Sequence, residues 1–135
     1  MSDDNAVDQK MSTTWTESST SQQNLSLDLL ANDLLSKALE LRCSDMHIEP
    51  EENQVVVRYL SKGETIKQVE LPLHVHQELA FCYKVIAGLN IKEQSRPQDI
   101  RRPLQIAGDD VDMRVTAIPG EFGETIAVTF KYRQE

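Results

Sequence analysis

The spacing of apolar positions changes several times along this chain, and the changes divide it into elements. Between residues 25 and 43, Leu27, Leu30, Leu34, Leu35, Ala38 and Leu41 recur at steps of three and four. That spacing lines one stripe of a helix, with Ser26 or Asp28 placed to cap its start. Residues 45–50 (DMHIEP) alternate polar and apolar and end at a proline, as a short strand does. Residues 54–60 (QVVVRYL) and 65–70 (TIKQVE) read as two further strands. They are joined by a turn at Ser61-Lys62-Gly63-Glu64, where Gly63 is free to take positive φ. Pro72 opens a second helix over about residues 73–88, with Leu79, Val85 and Ile86 on its apolar face and Gly88 near its end. Residues 91–102 contain Pro97, show no period and read as irregular. Strands near 103–107, 111–117 and 124–130 follow, separated by Gly108-Asp109-Asp110 and Pro119-Gly120-Glu121-Phe122-Gly123. The predicted order is α-β-β-β-α-β-β-β. Strands that arrive in hairpins pair antiparallel, so the expected class is α+β, a sheet with helices packed on one face.

Composition adds a boundary. Residues 1–24 are rich in Ser, Thr, Asp, Gln and Asn and hold almost no apolar side chains. Such a segment buries too little surface to offset its ordering entropy, so residues 1–24 are expected to be a disordered tail and residues 25–133 the folded domain. Trp15 stands alone in that tail and reads as incidental.

Charge narrows the partners. The net charge is −8, of which −3 falls in residues 1–24 and −5 in the remainder. An acidic chain is ill suited to nucleic acid or anionic membrane, since phosphate contacts need clustered Lys and Arg. No apolar run approaches the ~20 residues of a membrane span, and no basic stretch leads into an apolar one at the N-terminus. A cytoplasmic protein without membrane insertion is expected. Cys43 and Cys82 form no CxxC unit and read as two buried thiols of a reducing compartment.

The constellations of a stand-alone enzyme are missing. The sequence contains no GxxxxGK[ST] phosphate loop, no GxGxxG and no GxSxG elbow. His74 and His76 are two apart at a helix start and point in different directions, so they read as surface histidines, and no metal or cofactor is expected. Glu49, Glu51 and Glu52 read as a solvated edge. One stretch runs against the acidity: residues 92–102 hold Lys92, Arg96, Arg101 and Arg102 against Glu93 and Asp99, enough positive charge to meet a phosphate or an acidic surface.

The segments SDMHIEPEENQVVVRY, KVIAGLNI, PQDIR and VDMRVTAIPGEFGETIAV, in this order, resemble the second N-terminal domain of the type II secretion and type IV pilus assembly ATPases. The resemblance covers about residues 34–130. It implies a PAS-like antiparallel sheet with helices packed on it, lying ahead of a RecA-like motor that carries the phosphate loop. Ser44, Asp45, His47, Glu49 and Pro50 match the opening motif; Arg58 and Gly63 match parts of R-x-R-x-D-G, with Leu60 and Lys62 substituted. Pro97, Gln98, Asp99 and Arg101 match P-Q-D-G-R, with Ile100 in place of glycine. Asp112 and Arg114 match V-D-x-R-V, and Gly123 and Glu124 the following G-E. Ser95 and Thr129 stand where the family commonly has arginine. In that family, arginines of this domain reach towards nucleotide phosphates held by the motor, and the domain packs on a neighbouring motor. The residues this carries over are Arg101 and Arg114, with Arg58 and Arg102 beside them.

The resemblance implies a non-catalytic protein whose partner is a pilus-assembly or secretion motor ATPase. The favoured reading is a regulator, an inhibitor that mimics the motor's own N-terminal domain, recruited to the inner-membrane face of the machine. The alternatives are an N-terminal domain excised from a full ATPase and a PAS-like sensor of a small molecule or nucleotide.

Overall fold

A computed structural model describes residues 16–106 and 108–133, with side chains from residue 28 onward except at 106 and 109. The readings of residues 1–15 and of Trp15 lie outside the described residues.

Helix α1 spans Thr16–Leu41 and so starts well ahead of the expected residue 25. No Pro or Gly falls in that span. A helix docked by its C-terminal half extends through Thr, Ser and Gln at a small cost per residue. Ser26 and Asp28 therefore lie inside the helix and do not cap it; Asp28 Oδ1 accepts the Cys82 thiol at 3.1 Å instead. Ala31, Leu34, Leu35, Ala38 and Leu39 form the buried stripe, while Leu41 is exposed at the helix end. The helix stops in a Schellman turn: Arg42 N–H donates to Leu39 O at 3.1 Å and Cys43 N–H to Ala38 O at 3.2 Å. The left-handed position falls on Arg42, at φ 49°. Its guanidinium lies 4.3 Å above the Tyr132 ring, and the Tyr132 hydroxyl donates to Cys43 O, tying the helix end to the last strand.

The remaining elements are β1 (Asp45–Pro50), β2 (Gln54–Ser61), β3 (Glu64–Pro72), a 3-10 turn (Leu73–Val75), α2 (His76–Ala87), β4 (Gln98–Ile106), β5 (Asp109–Ile118) and β6 (Thr125–Tyr132). They form one sheet in the order β3-β2-β1-β6-β5-β4, every neighbouring pair antiparallel. The class is α+β and PAS-like, and the element order is the one expected. Lys62 (φ 53°) and Gly63 (φ 86°) make the β2–β3 turn, the two positive φ values that suit the twist of a tight hairpin.

The expectation of irregular chain to residue 102 is corrected, because β4 already begins at Gln98. β4 is an edge strand paired only with β5, so Pro103 lacks an N–H where no third strand asks for one. Its solvated surroundings also remove the apolar alternation by which a central strand is recognised.

One face of the sheet carries the core. Met46 and Ile48 of β1, Val55, Val57 and Tyr59 of β2, alternate residues from Val111 to Ala117 of β5, and Ile126, Val128, Phe130 and Tyr132 of β6 pack against both helices. Two tyrosines bolt α1 down: Tyr59 donates to Leu34 O at 2.8 Å and Tyr83 to Ala31 O at 2.6 Å. On α2 the buried face is Leu79, Ala80, Tyr83 and Ala87; Val85 points outward, since a 100° step per residue takes it off that stripe. Cys43 and Cys82 are free and buried, and burial together with Asp28 pushes the Cys82 thiol up to about 12.

Candidate functional site

Strand alternation sends the remaining side chains to the opposite face, which neither helix covers. Across β1, β6, β5 and β4 one row reads Asp45, Thr129, Arg114, Arg101. The next row, from β2 to β4, reads Arg58, His47, Ala127, Thr116, Asp99. Both signs of charge are present on this face, and Arg58 and Arg114 are already engaged.

Arg114 and Arg101 sit directly opposite each other, a repulsive placement. Asp99 offsets it. It holds Arg114 at both oxygens, Nε to Oδ1 at 3.0 Å and Nη2 to Oδ2 at 2.7 Å, and Thr116 Oγ1 donates to Oδ1 at 3.3 Å. The Arg114 contact holds the Asp99 carboxyl below the usual carboxylate range, with a further pull from Arg101. A depressed carboxylate contributes its stabilisation at neutral pH and loses it as pH falls through the lowered value. Arg114→Gln is expected to return the Asp99 titration, followed by carboxyl carbon NMR, towards the ordinary range; an unmoved midpoint would remove Arg114 as its cause.

Arg58 is paired with Glu49 and lies 3.8 Å from Glu51, so those two glutamates serve an ion pair as well as a solvated edge. Arg102 is only partly in the expected cluster: it lines the same depression as Arg101 and Arg114, but its guanidinium is turned elsewhere. Alternation puts it on the helix side, its guanidinium against Gly88 at the C-terminal end of α2. The four cations of residues 92–102 are thus divided between two faces and a loop.

What remains open is a depression of 410 Å³ lined by Arg101, Pro103, Asp112, Arg114, Thr129 and Lys131. Asp112 is bound by Arg133 at 3.0 Å. On the open face, Arg101 and Lys131 make no hydrogen bond or ion pair with the described residues, and both can receive an anion or an acidic surface; Arg102, at the margin of the depression, lies against Gly88. Sequence reasoning missed Lys131. Its signal was its place on β6, one strand from Arg114 and on the same face.

Other motif residues act within the fold. Asp45 accepts from Ser44 Oγ at 2.7 Å and from Thr129 Oγ1 at 3.0 Å, joining β1 to β6. His47 Nδ1 lies 3.6 Å from Glu49. The Gln98 side chain, directly after Pro97, bridges the backbone N–H and C=O of Asn90, both at 2.9 Å, and closes the loop between α2 and β4. Pro50, which ends β1, lies close to Gly123.

His76 is corrected from surface to buried: its Nε2 is 2.7 Å from Glu124 O. Beside it Lys84, 2% exposed, pairs with Glu124 at 2.5 Å and donates to Glu93 O at 2.7 Å. The sequence signal for Lys84 was a charge on the Ala80–Ala87 face of an otherwise apolar helix stripe. Among the described residues, no group of three His, Cys, Asp or Glu is arranged to hold a metal, and no helix is long and apolar enough to cross a membrane.

Comparison with known proteins adds kinship to this geometry. The model of the family described as type II/IV secretion system protein matches residues 20–134. The chain is 35% identical over 105 residues to type II secretion system protein E of Xanthomonas campestris pv. campestris, covering 78% of this chain and 18% of that protein. It is 37% identical over 106 residues to type II secretion system protein HxcR of Pseudomonas aeruginosa, 78% of this chain and 22% of that one. To the type IV pilus assembly ATPase PilB of Myxococcus xanthus it is 32% identical over 100 residues, 73% of this chain and 18% of that one. The chain thus spans about a fifth of the length of these relatives.

Proposed function

The chain belongs to the type II/IV secretion system protein family, and on that premise we propose that it serves as the non-motor, N-terminal module of a secretion or pilus-assembly ATPase in the cytoplasm. It supplies no catalytic group. Its task is contact: the open sheet face docks on a motor domain, with Arg101 and Lys131 directed at negative charge there, either nucleotide phosphate or carboxylates. Arginine suits the role because its planar fork stays charged and grips oxygens at two points. The observation that carries the reading is the depression in which these two cations have no partner among the described residues, on a face the helices leave uncovered.

Arg114 enters the same contact only by leaving Asp99. That pair is half exposed and screened by solvent, so a phosphate competes with it readily.

A purified motor ATPase of the same machinery, immobilised and offered this chain, tests the proposal. Exchanging Arg101 and Lys131 together for Glu is expected to weaken capture by at least about tenfold, since like-charge juxtaposition is strongly unfavourable at a docked face, and rising salt is expected to weaken capture of the unaltered chain. Affinity within twofold of the original, roughly 0.4 kcal/mol, would sink the reading.

A second reading is favoured by Leu60, Ser95 and Thr129, which stand where the resemblance leads one to expect charged residues. A module with its positive charge thinned would occupy the docking place without assisting turnover, and so inhibit. Capture accompanied by a fall in ATP turnover distinguishes this regulator from a working domain.

A further inference from the structure

On the helix side of the sheet, α2, the loop before β4 and the loop between β5 and β6 enclose a cleft of 360 Å³. Its floor is the Lys84–Glu124 pair with His76, and its rim includes Phe81, Ile91, Phe122, Gln94 and Glu78. Phe81 and Phe122 are 47% and 46% exposed, large apolar groups turned to solvent around a polar floor. Glu124 Oε1 is engaged by Lys84, but Oε2 is buried and accepts no hydrogen bond from any described residue. The Lys84 ammonium pairs with Oε1 and donates to Glu93 O, and makes no hydrogen bond to Oε2. A carboxylate oxygen shut from water without a donor is unfavourable, so the cleft is set to receive one.

The charge of that donor follows from the lining. Lys84 and Glu124 cancel, which leaves Glu78 as the remaining charge among the lining residues. A cation fits. The exposed rings select among cations: guanidinium is planar, weakly hydrated and stacks on aromatic faces while donating from its edge, whereas an ammonium is compact and strongly hydrated. A small free cation would leave Phe81, Ile91 and Phe122 uncovered, so the group is carried by an apolar chain. The residues outside those described, 1–15, 107 and 134–135, contain no arginine.

We propose that this cleft is a docking site for an arginine of a partner protein, flanked by aliphatic residues, whose guanidinium donates to Glu124 Oε2 while its neighbours cover Phe81, Ile91 and Phe122. Phe81, Gln94 and Phe122 on the rim are exposed, and exposed side chains change rotamer in picoseconds to nanoseconds. The site lies across the sheet from Arg101 and Lys131 and does not depend on their role.

The test is a titration of the full 135-residue chain, labelled with ¹⁵N, with the peptide acetyl-Gly-Leu-Arg-Leu-Gly-amide. Saturable shifts are expected at the amides of Phe122, Gly123 and Glu124. The norleucine counterpart is expected to bind at least about fivefold more weakly, for loss of a charge-assisted hydrogen bond. Phe81→Ser and Phe122→Ser, surface changes whose fold is checked by circular dichroism, are expected to weaken the arginine peptide by about the same factor, and Arg101→Glu to leave it unchanged. The proposal is overturned by equal binding of the arginine and norleucine peptides, or by no binding of either. Saturation by guanidinium chloride at the same concentration, marking a small-cation site, also overturns it. So does self-association of the free chain that the two Phe variants abolish, which would make a second copy the occupant.

Discussion

Lys84→Met is expected to lower the stability of the domain by about 3–5 kcal/mol, the cost of leaving a buried charge without its partner. Lys84 is 2% exposed and Glu124 9%, so solvent cannot replace what the ammonium supplies. The loss spreads further than one ion pair. Lys84 also donates to Glu93 O, and Gln98 Nε2 reaches the same carbonyl at 3.3 Å, so removal of the ammonium loosens the loop that leads into β4. Against a total stability of about 5–15 kcal/mol, the single change takes a large share. The double variant Lys84→Met, Glu124→Leu removes the orphaned charge and is expected to recover most of the loss, because a buried pair exchanged for apolar side chains of similar volume is often close to neutral. Urea unfolding at neutral pH reads both: the midpoint of Lys84→Met falls with the slope unchanged, and the midpoint of the double variant returns. A single variant within about 1 kcal/mol of the parent, or a double variant no better than the single, would show that the pair is not the anchor described.

Gly123→Ala carries the second large effect, expected at about 2–4 kcal/mol from backbone strain plus a clash. Gly123 sits at φ 131°, which side chains rarely adopt, and a Cβ there would stand 2.8 Å from His76 Cε1 and 3.2 Å from Nδ1. The ring has little room to retreat, being buried and held through Nε2 at Glu124 O. The two causes separate in a cycle with His76→Ala. That change opens space for the methyl group but leaves the dihedral angle strained, so the double variant is expected to lose less than the sum of the singles by about 1 kcal/mol or more. Strict additivity in thermal melts would assign the whole cost to the backbone.

Much of the fold was legible because the hydrophobic period changes cleanly along the chain. Val55, Val57 and Tyr59 announce a strand, and Gly63 and Gly88 mark the turn and the helix end where the structure has them. The failures have physical causes. β4 was obscured because an edge strand with Pro103 and exposed arginines need not alternate. The start of α1 was obscured because Thr, Ser and Gln are compatible with a helix once packing elsewhere has nucleated it. The candidate site was less legible than the fold. Arg101 and Arg102 are neighbours in sequence and lie on opposite faces, while Asp45 and Thr129 are far apart in sequence and touch. Which cations are free depends on which carboxylates reach them, and Asp99, Glu49 and Asp112 decide that across strands. Lys84 and His76 look like surface residues by type; the place of Lys84 on an apolar helix stripe is a signal, whereas His76 is revealed as interior only by its neighbours.

The pairing of β1 with β6 at the centre of the sheet has a mechanical consequence. Asp45 begins β1 and faces Thr129, three residues before the end of β6 at Tyr132. A chain drawn taut between residues 44 and 132 therefore pulls on two adjacent strands from the same end. The load falls on one rung at a time, Asp45–Thr129 before Met46–Val128 and onward, as in opening a zipper. Loaded from opposite ends, the same rungs would share the force and resist together. A domain strung this way yields to modest tension along its own chain, so it transmits force through its faces far better than through its ends.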